Sequence, residues 1–348
     1  MKIQRCHQVP QLFIPCEEDK HIWTIYDVMD NNFLDLKITM PYDKRFCASS
    51  EGWLVAINKD YTVSLYNPYS MLVGNCNKYN IQLPILFPTQ PFLLPGDEYD
   101  FENFSDDESE EDFDYHIFKA TITADPLENP NDCTIAVIFG DSFNLAFIRL
   151  GKDTTWTKID WGGSFDDILP YNNHFYALDN LGRLISFDDD PHNFNVNLVT
   201  RENLRTRVIY SKRYLVKSCG GDILQVERYV TWGDNNGRHI TKTFNVFKLD
   251  LERQRWTQIK DLGDESLFLG DNSSISISSS NFVSCKRNCI YFTHDDDLVR
   301  SNVNGFIDIG IYNVETEIFT LHFNIDSSTF TKMSRRAPIW IVPTLNSY

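Results

Sequence analysis

Residues 262–297 read LGDESLFLGDNSSISISSSNFVSCKRNCIYFTHDDD, and this stretch decides the fold. Ile275-Ser276-Ile277-Ser278 alternates apolar and small polar side chains, the period-2 pattern of a half-buried strand. Asn288-Cys289-Ile290-Tyr291-Phe292-Thr293 is a second strand, rich in β-branched and aromatic residues and stopped by Asp295, Asp296 and Asp297. Upstream, Leu267-Phe268-Leu269 runs into Gly270. Both Gly263 and Gly270 are expected to turn the chain, Gly270 by adopting a positive φ. The stretch reads as the inner half of one sheet, with Ile275, Ile277, Ile290 and Phe292 facing neighbouring sheets. Its chemistry is packing.

The same grammar extends in both directions. Leu12 to Met40 gives three short apolar pieces separated by acidic or Asn-rich turns. Trp53–Ile57 is a strand, Asn58-Lys59-Asp60 a tight turn and Val63–Tyr66 the returning strand, with Asn80–Leu83 the next one outward. Strands resume at His116–Ile122 and continue to the closing APIWIVPTL, Ala337 to Leu345. No amphipathic helix longer than about three turns interrupts them, so the chain is all-β.

A weak repeat sets the architecture. Phe147 followed by Trp156-Thr157-Lys158-Ile159 recurs as Phe247 followed by Trp256-Thr257-Gln258-Ile259. The offset equals two units of roughly 50 residues, a propeller-blade spacing. Five strand–turn–strand pairs, from VSLYNP with NIQLP to IGIYN with FTLHF, look like outer halves of four-stranded blades. An open sheet of so many strands would leave two sticky edges, whereas radial blades leave only short ones. We therefore expect a single β-propeller domain over residues 1–348, of six four-stranded blades. One blade is composite, with Ile339–Val342 joining the N-terminal strands to lock the ring. Trp53, Trp156, Trp256 and Trp340 are assigned to blade packing.

The formal charge of −17 is concentrated. Residues 96–115, GDEYDFENFSDDESEEDFDY, hold eleven acidic residues and no Lys or Arg, which leaves −6 for everything else. A chain with no basic stripe is not expected to bind nucleic acid or an anionic membrane. The segment reads as a disordered surface insertion. Its alternative reading is a docking site for a basic partner, with Ser105 and Ser109, each followed by three acidic residues, as phosphorylation sites. The eight cysteines lie in a long chain whose start lacks a secretory pattern, so reduced thiols and a location in cytoplasm or nucleus are expected.

The pieces SSEGWLVAI with LYNP, DDILPYNNHFYALDNLGRLISFD, RYLVKSCGGDILQVERY, FNVFKLDLERQRWTQIKDLGDESLFLGDNSSISIS and CKRNCIYFTHDD stand in a recognisable order. In these the chain resembles the plant family of F-box-associated β-propellers, also called kelch-like or KIB-type. The resemblance covers most of the chain from about Leu12. It implies a non-catalytic substrate-recognition role in ubiquitin ligases, in which an F-box module docks on the ligase adaptor and the propeller holds the target. Here the propeller pattern starts by Leu12, leaving no room for a helical module ahead of it, so direct adaptor binding is not expected. Protein partners, a monomer and no cofactor are.

Candidate sites weigh against bland readings. Cys285, Cys289 and His294 lack a fourth ligand and tight spacing, so packing is preferred to zinc. The triplets Asp188–Asp190 and Asp295–Asp297 lack the alternating spacing of a calcium loop and are read as solvated turns. No nucleophile elbow, phosphate loop or H-E-x-x-H occurs. The alternative to a protein-binding module is a propeller enzyme or small-molecule binder using the central channel.

Overall fold

The computed structural model describes residues 9–16, 19, 21–41, 44, 46–58, 62–69, 80–86, 117–140, 142–190, 195–200, 211–232, 239–271, 273–295, 308–320 and 337–343. The acidic segment at 96–115, with Ser105 and Ser109, lies outside the described residues.

In chain order the strands are β1 (Gln11–Pro15), β2 (Ile22–Asp27) and β3 (Asn32–Thr39) in blade one. Blade two holds β4 (Phe46–Ser50), β5 (Trp53–Ile57), β6 (Thr62–Tyr66) and β7 (Asn80–Ile85). Blade three holds β8 (Ile117–Ile122), β9 (Thr134–Phe139), β10 (Asn144–Arg149) and β11 (Thr157–Ile159). Blade four holds β12 (Phe165–Tyr171), β13 (His174–Asp179), β14 (Leu184–Phe187) and β15 (Asn197–Thr200). Blade five holds β16 (Ser211–Lys217), β17 (Ile223–Trp232), β18 (His239–Asp250) and β19 (Arg255–Ile259). Blade six holds β20 (Glu265–Gly270), β21 (Ser273–Ser278), β22 (Cys289–Phe292), β23 (Gly310–Asn313) and β24 (Phe319–Thr320). The last strand, β25 (Ile339–Ile341), returns to blade one, where Leu12 pairs with Trp340. The composite blade thus has the order β25-β1-β2-β3, closed as its sequence implies.

Closure is visible in the contacts. The innermost strands β4, β8, β12, β16, β21 and β25 touch one another in that order, and β25 touches β4 again. Among the described residues the buried apolar side chains fall into six clusters, each bridging two adjacent blades. β9 shows why its sequence, TIAVIF, is apolar without a break after Thr134. Ile135, Val137 and Phe139 face blade two while Ala136 and Ile138 face blade four. A strand buried on both faces has no polar side to show.

Blade six departs from the four-stranded pattern. Its order is β21-β20-β22-β23-β24, and β20 pairs with β22 in parallel. The segment Leu267–Gly270, read from sequence as a lead-in to a turn, is part of a full strand. Alternation still assigns its faces: Leu267, Leu269, Ile290 and Phe292 pack toward blade five, while Phe268, Ile277 and Tyr291 pack toward blade one. Gly270 does not turn the chain through a positive φ. It ends β20, and a Cβ there would stand 2.6 Å from Thr293 Oγ1 and 3.1 Å from Trp340 Cδ1. Close approach, not left-handed backbone, explains this glycine. Gly263 does adopt the left-handed region, at φ 65°.

The two ends of the ring differ. One end, called here the tight-turn end, carries the hairpins with left-handed residues at Asn31, Glu51, Asn172, Asn173, Gly221, Gln254 and Glu317; Gly140, Phe143 and Gly182 take the same region in hairpins at the opposite end. At the other, the entry end, the inner strands β8, β12, β16 and β21 begin and β17, β20 and β22 finish.

Candidate protein-interaction face

The inner strands of a propeller bring side chains from distant sequence to one axis. At the entry end, Asp167 on β12 collects partners from four blades. It accepts the backbone N–H of Ile168 in its own blade at 2.7 Å and that of Leu215 in blade five at 2.8 Å. Lys119 from blade three stands 3.3 Å from it, and the Ser274 hydroxyl of blade six donates to it at 3.4 Å. Lys119 Nζ also donates to Ser274 Oγ at 3.2 Å. Blades three and six lie opposite each other in a six-membered ring, so this contact crosses the axis. A buried ion pair spans the axis there.

Around this plug sits a ring of charge. Arg213 donates to Asp166 at 3.0 Å and to the Asn180 carbonyl at 3.2 Å, and reaches Glu227 at 3.4 Å. Burial raises the Asp166 carboxyl above its ordinary value, with Arg213 opposing. Lys212 stands 3.3 Å from Asp271 and 3.4 Å from Asp295. Lys212 and Asp166 keep about a quarter of their side chains exposed, at 28% and 27%. The ring is therefore anchored below and presented above.

Beneath Lys212 lies a fully buried network centred on Arg228 of β17. Its Nε donates to Thr241 Oγ1 at 2.7 Å. One terminal nitrogen donates to the Thr293 carbonyl at 2.8 Å and to Asp295 at 3.2 Å. The other donates to Asp308 at 3.0 Å. The Phe292 and Phe244 rings flank the guanidinium at 5.0 and 5.9 Å. Burial works against its charge, but the hydrogen bond it donates to Tyr214 and the charges of Asp308 and Asp295 offset this and hold its pKa above the ordinary value. Tyr214 donates to Asp295 at 2.7 Å. Burial and Asp295 together push the Tyr214 phenol up, so it stays protonated.

Asp295 corrects the reading from sequence: it is a buried carboxylate in a network, not a solvated turn residue. Asp189 of the other triplet accepts from the Thr134 hydroxyl. His294 is also buried, and neither ring nitrogen has a hydrogen-bond partner among the described residues. Burial lowers its pKa to about 4. Cys289 starts β22 and His294 follows its far end, so they do not converge. Burial raises both the Cys285 and Cys289 thiols, which keeps them from being thiolates.

The tryptophans clamp blades together. Trp53 of blade two donates its indole N–H to Asp125 at 3.2 Å, Trp156 of blade three to the Pro84 carbonyl at 3.0 Å, and Trp340 of blade one to the Leu269 carbonyl at 3.2 Å. Trp256 packs against the blade four–five cluster. Its indole N–H is buried without a hydrogen-bond partner among the described residues. Sequence reasoning missed Lys119, Asp167 and Arg228. A signal existed for Arg228: it lies two residues beyond Val226 and four beyond Leu224, on the buried side of β17.

A model of the KIB1-4 β-propeller matches residues 25–313. Two Arabidopsis thaliana proteins are among the similar sequences. Putative F-box protein At5g60060 is 29% identical over 161 residues, covering 44% of this chain and 41% of that protein. F-box protein SKIP23 is 24% identical over 288 residues, covering 72% and 65%. This chain thus spans less than two thirds of the length of either. Among solved structures, the β-propeller domain of Cps50 (Swd1) from Myceliophteria thermophila aligns with a TM-score of 0.41 at 8% identity, over 86% of this chain and 78% of that one.

Proposed function

The chain belongs to the KIB1-4 β-propeller family, and on that footing we propose that it is a non-catalytic protein-recognition module that holds a target for ubiquitin transfer. The relatives' description as F-box proteins supports the ubiquitin-ligase context. The observation that carries the reading is the ion pair across the axis. Lys119, Asp167 and Ser274 occupy the place where a channel ligand would sit. Recognition then falls to the rim, where loops can vary without disturbing the blades that carry them. The part-exposed ring of Asp166, Lys212 and Arg213 lies beside that rim.

The test is a comparison of protein abundance and ubiquitination in plant cells with and without the gene. The reading expects a small set of proteins to accumulate and lose ubiquitin when the chain is absent. Unchanged abundance and ubiquitination across the proteome, with a metabolite accumulating in their place, would contradict it.

A further inference from the structure

We propose that a groove at the tight-turn end of blade six is a docking site for an acidic peptide segment of a partner protein. The groove is open to solvent and holds about 360 Å³ between the loop that enters β22 and the β23–β24 hairpin. Its walls include Lys286, Arg287, Ile318 and Thr320, and Cys289 and Asn313 line it as well. This end of the ring is opposite the one that carries the charged plug.

Charge selects the occupant. The protein is strongly acidic overall, yet Lys286 and Arg287 are exposed side by side and neither has an ion-pair partner among the described residues. No neighbouring carboxylate among the described residues stands within ion-pair distance of either cation. Glu317 stands 3.2 Å from Lys260, and Glu315 accepts from Asn288 at 3.5 Å. Asp264 is held by the hydroxyls of Ser278 and Ser279. Two unneutralised cations therefore point to a ligand bearing carboxylates.

Shape and polarity narrow it further. Ile318 is 58% exposed, and Val283, in the loop leading to Lys286, is fully exposed. Exposed apolar side chains beside unpaired cations fit a segment with an apolar anchor flanked by acidic residues. The volume suits one such anchor. The apolar side chain would rest on Ile318, and the carboxylates would meet Lys286 and Arg287. This deepens the protein-recognition reading by naming a partner chemistry, and it rests on that reading only for whose peptide binds.

The experiment uses the full chain and a fluorescein-labelled peptide Gly-Ser-Asp-Asp-Leu-Asp-Asp-Ser-Gly, read by anisotropy, beside its Asn-for-Asp counterpart. Saturable binding of the Asp peptide is expected, weakened by salt, with no saturable binding of the Asn peptide. Lys286→Glu with Arg287→Glu should weaken binding by about tenfold or more. Ile318→Asp should weaken it too. Lys152→Glu with Lys158→Glu, the same charge change on exposed blade-three lysines, should leave it unchanged. Melting curves verify folding, and Lys286→Gln with Arg287→Gln serves if the reversal unfolds the chain. No saturable binding, equal binding of both peptides, or equal loss in the blade-three control would overturn the proposal. Because no ligase or cell is involved, such a failure leaves the receptor reading to its own test.

Discussion

Arg228 shows how much this fold invests in a single buried charge. Every nitrogen of its guanidinium has a partner, and two carboxylates neutralise it at zero exposure. Removing one member of such a group leaves the others charged and unpaired, which costs more than the intact group contributes. Arg228→Ala should destabilise the protein by about 3–5 kcal/mol in urea unfolding. A loss below about 1 kcal/mol would show that the network relaxes freely. His294 gives a pH signature. In the folded protein it stays neutral down to about pH 4, whereas its ordinary value is 6.5. Between those values the unfolded chain binds more protons, so His294's contribution is complete above pH 6.5 and is lost as pH falls toward 4. The slope is up to about 1.4 kcal/mol per pH unit. His294→Gln should flatten urea midpoints measured from pH 7 to 4, and an unchanged slope would assign the acid sensitivity to other groups. Arg228, Asp271, Asp295 and Asp308 all act on this imidazole, so the variant's intercept will shift as well.

Two elements hold the ring shut, β20 and β25, and they meet at Trp340. This indole packs edge-on against Phe268 at 5.1 Å and bonds the Leu269 carbonyl, while its own carbonyl accepts from Ser273. Trp340→Ala should cost about 3–5 kcal/mol. Hydrogen exchange should rise first in β1, which pairs with β25, and in β20, against which the Trp340 ring packs; a uniform rise over all blades would contradict this placement. Gly270→Ala forces a Cβ into Thr293 and Trp340 and should cost about 1–3 kcal/mol by melting. The outer strand pairs were legible in the sequence because each alternates or is closed by a turn residue. β20 was not, because Leu267–Leu269 is too short a run to separate a strand from a turn lead-in, and its parallel pairing with β22 has no local signature. The plug was invisible for a related reason. Lys119 and Ser274 are ordinary polar positions in their own strands, and only ring closure brings them together across the axis.

At the scale of the whole molecule, six interlocking clusters make each blade depend on both neighbours, so the ring is expected to unfold as one unit. The fold class was legible because turn chemistry and apolar runs recur at blade spacing. The face was not, because its charges come from four blades and their meeting point depends on closure. The ion pair across the axis and the anchored rim are the features on which the proposed recognition of proteins rests. The most direct measurement is affinity purification of the tagged natural product from plant cells, with quantitative mass spectrometry and Arg228→Ala as the destabilised reference. The account predicts a discrete set of proteins retained by the wild-type ring and lost with the variant. Equal recovery by both forms, or no protein retained above background by the wild type, would contradict it.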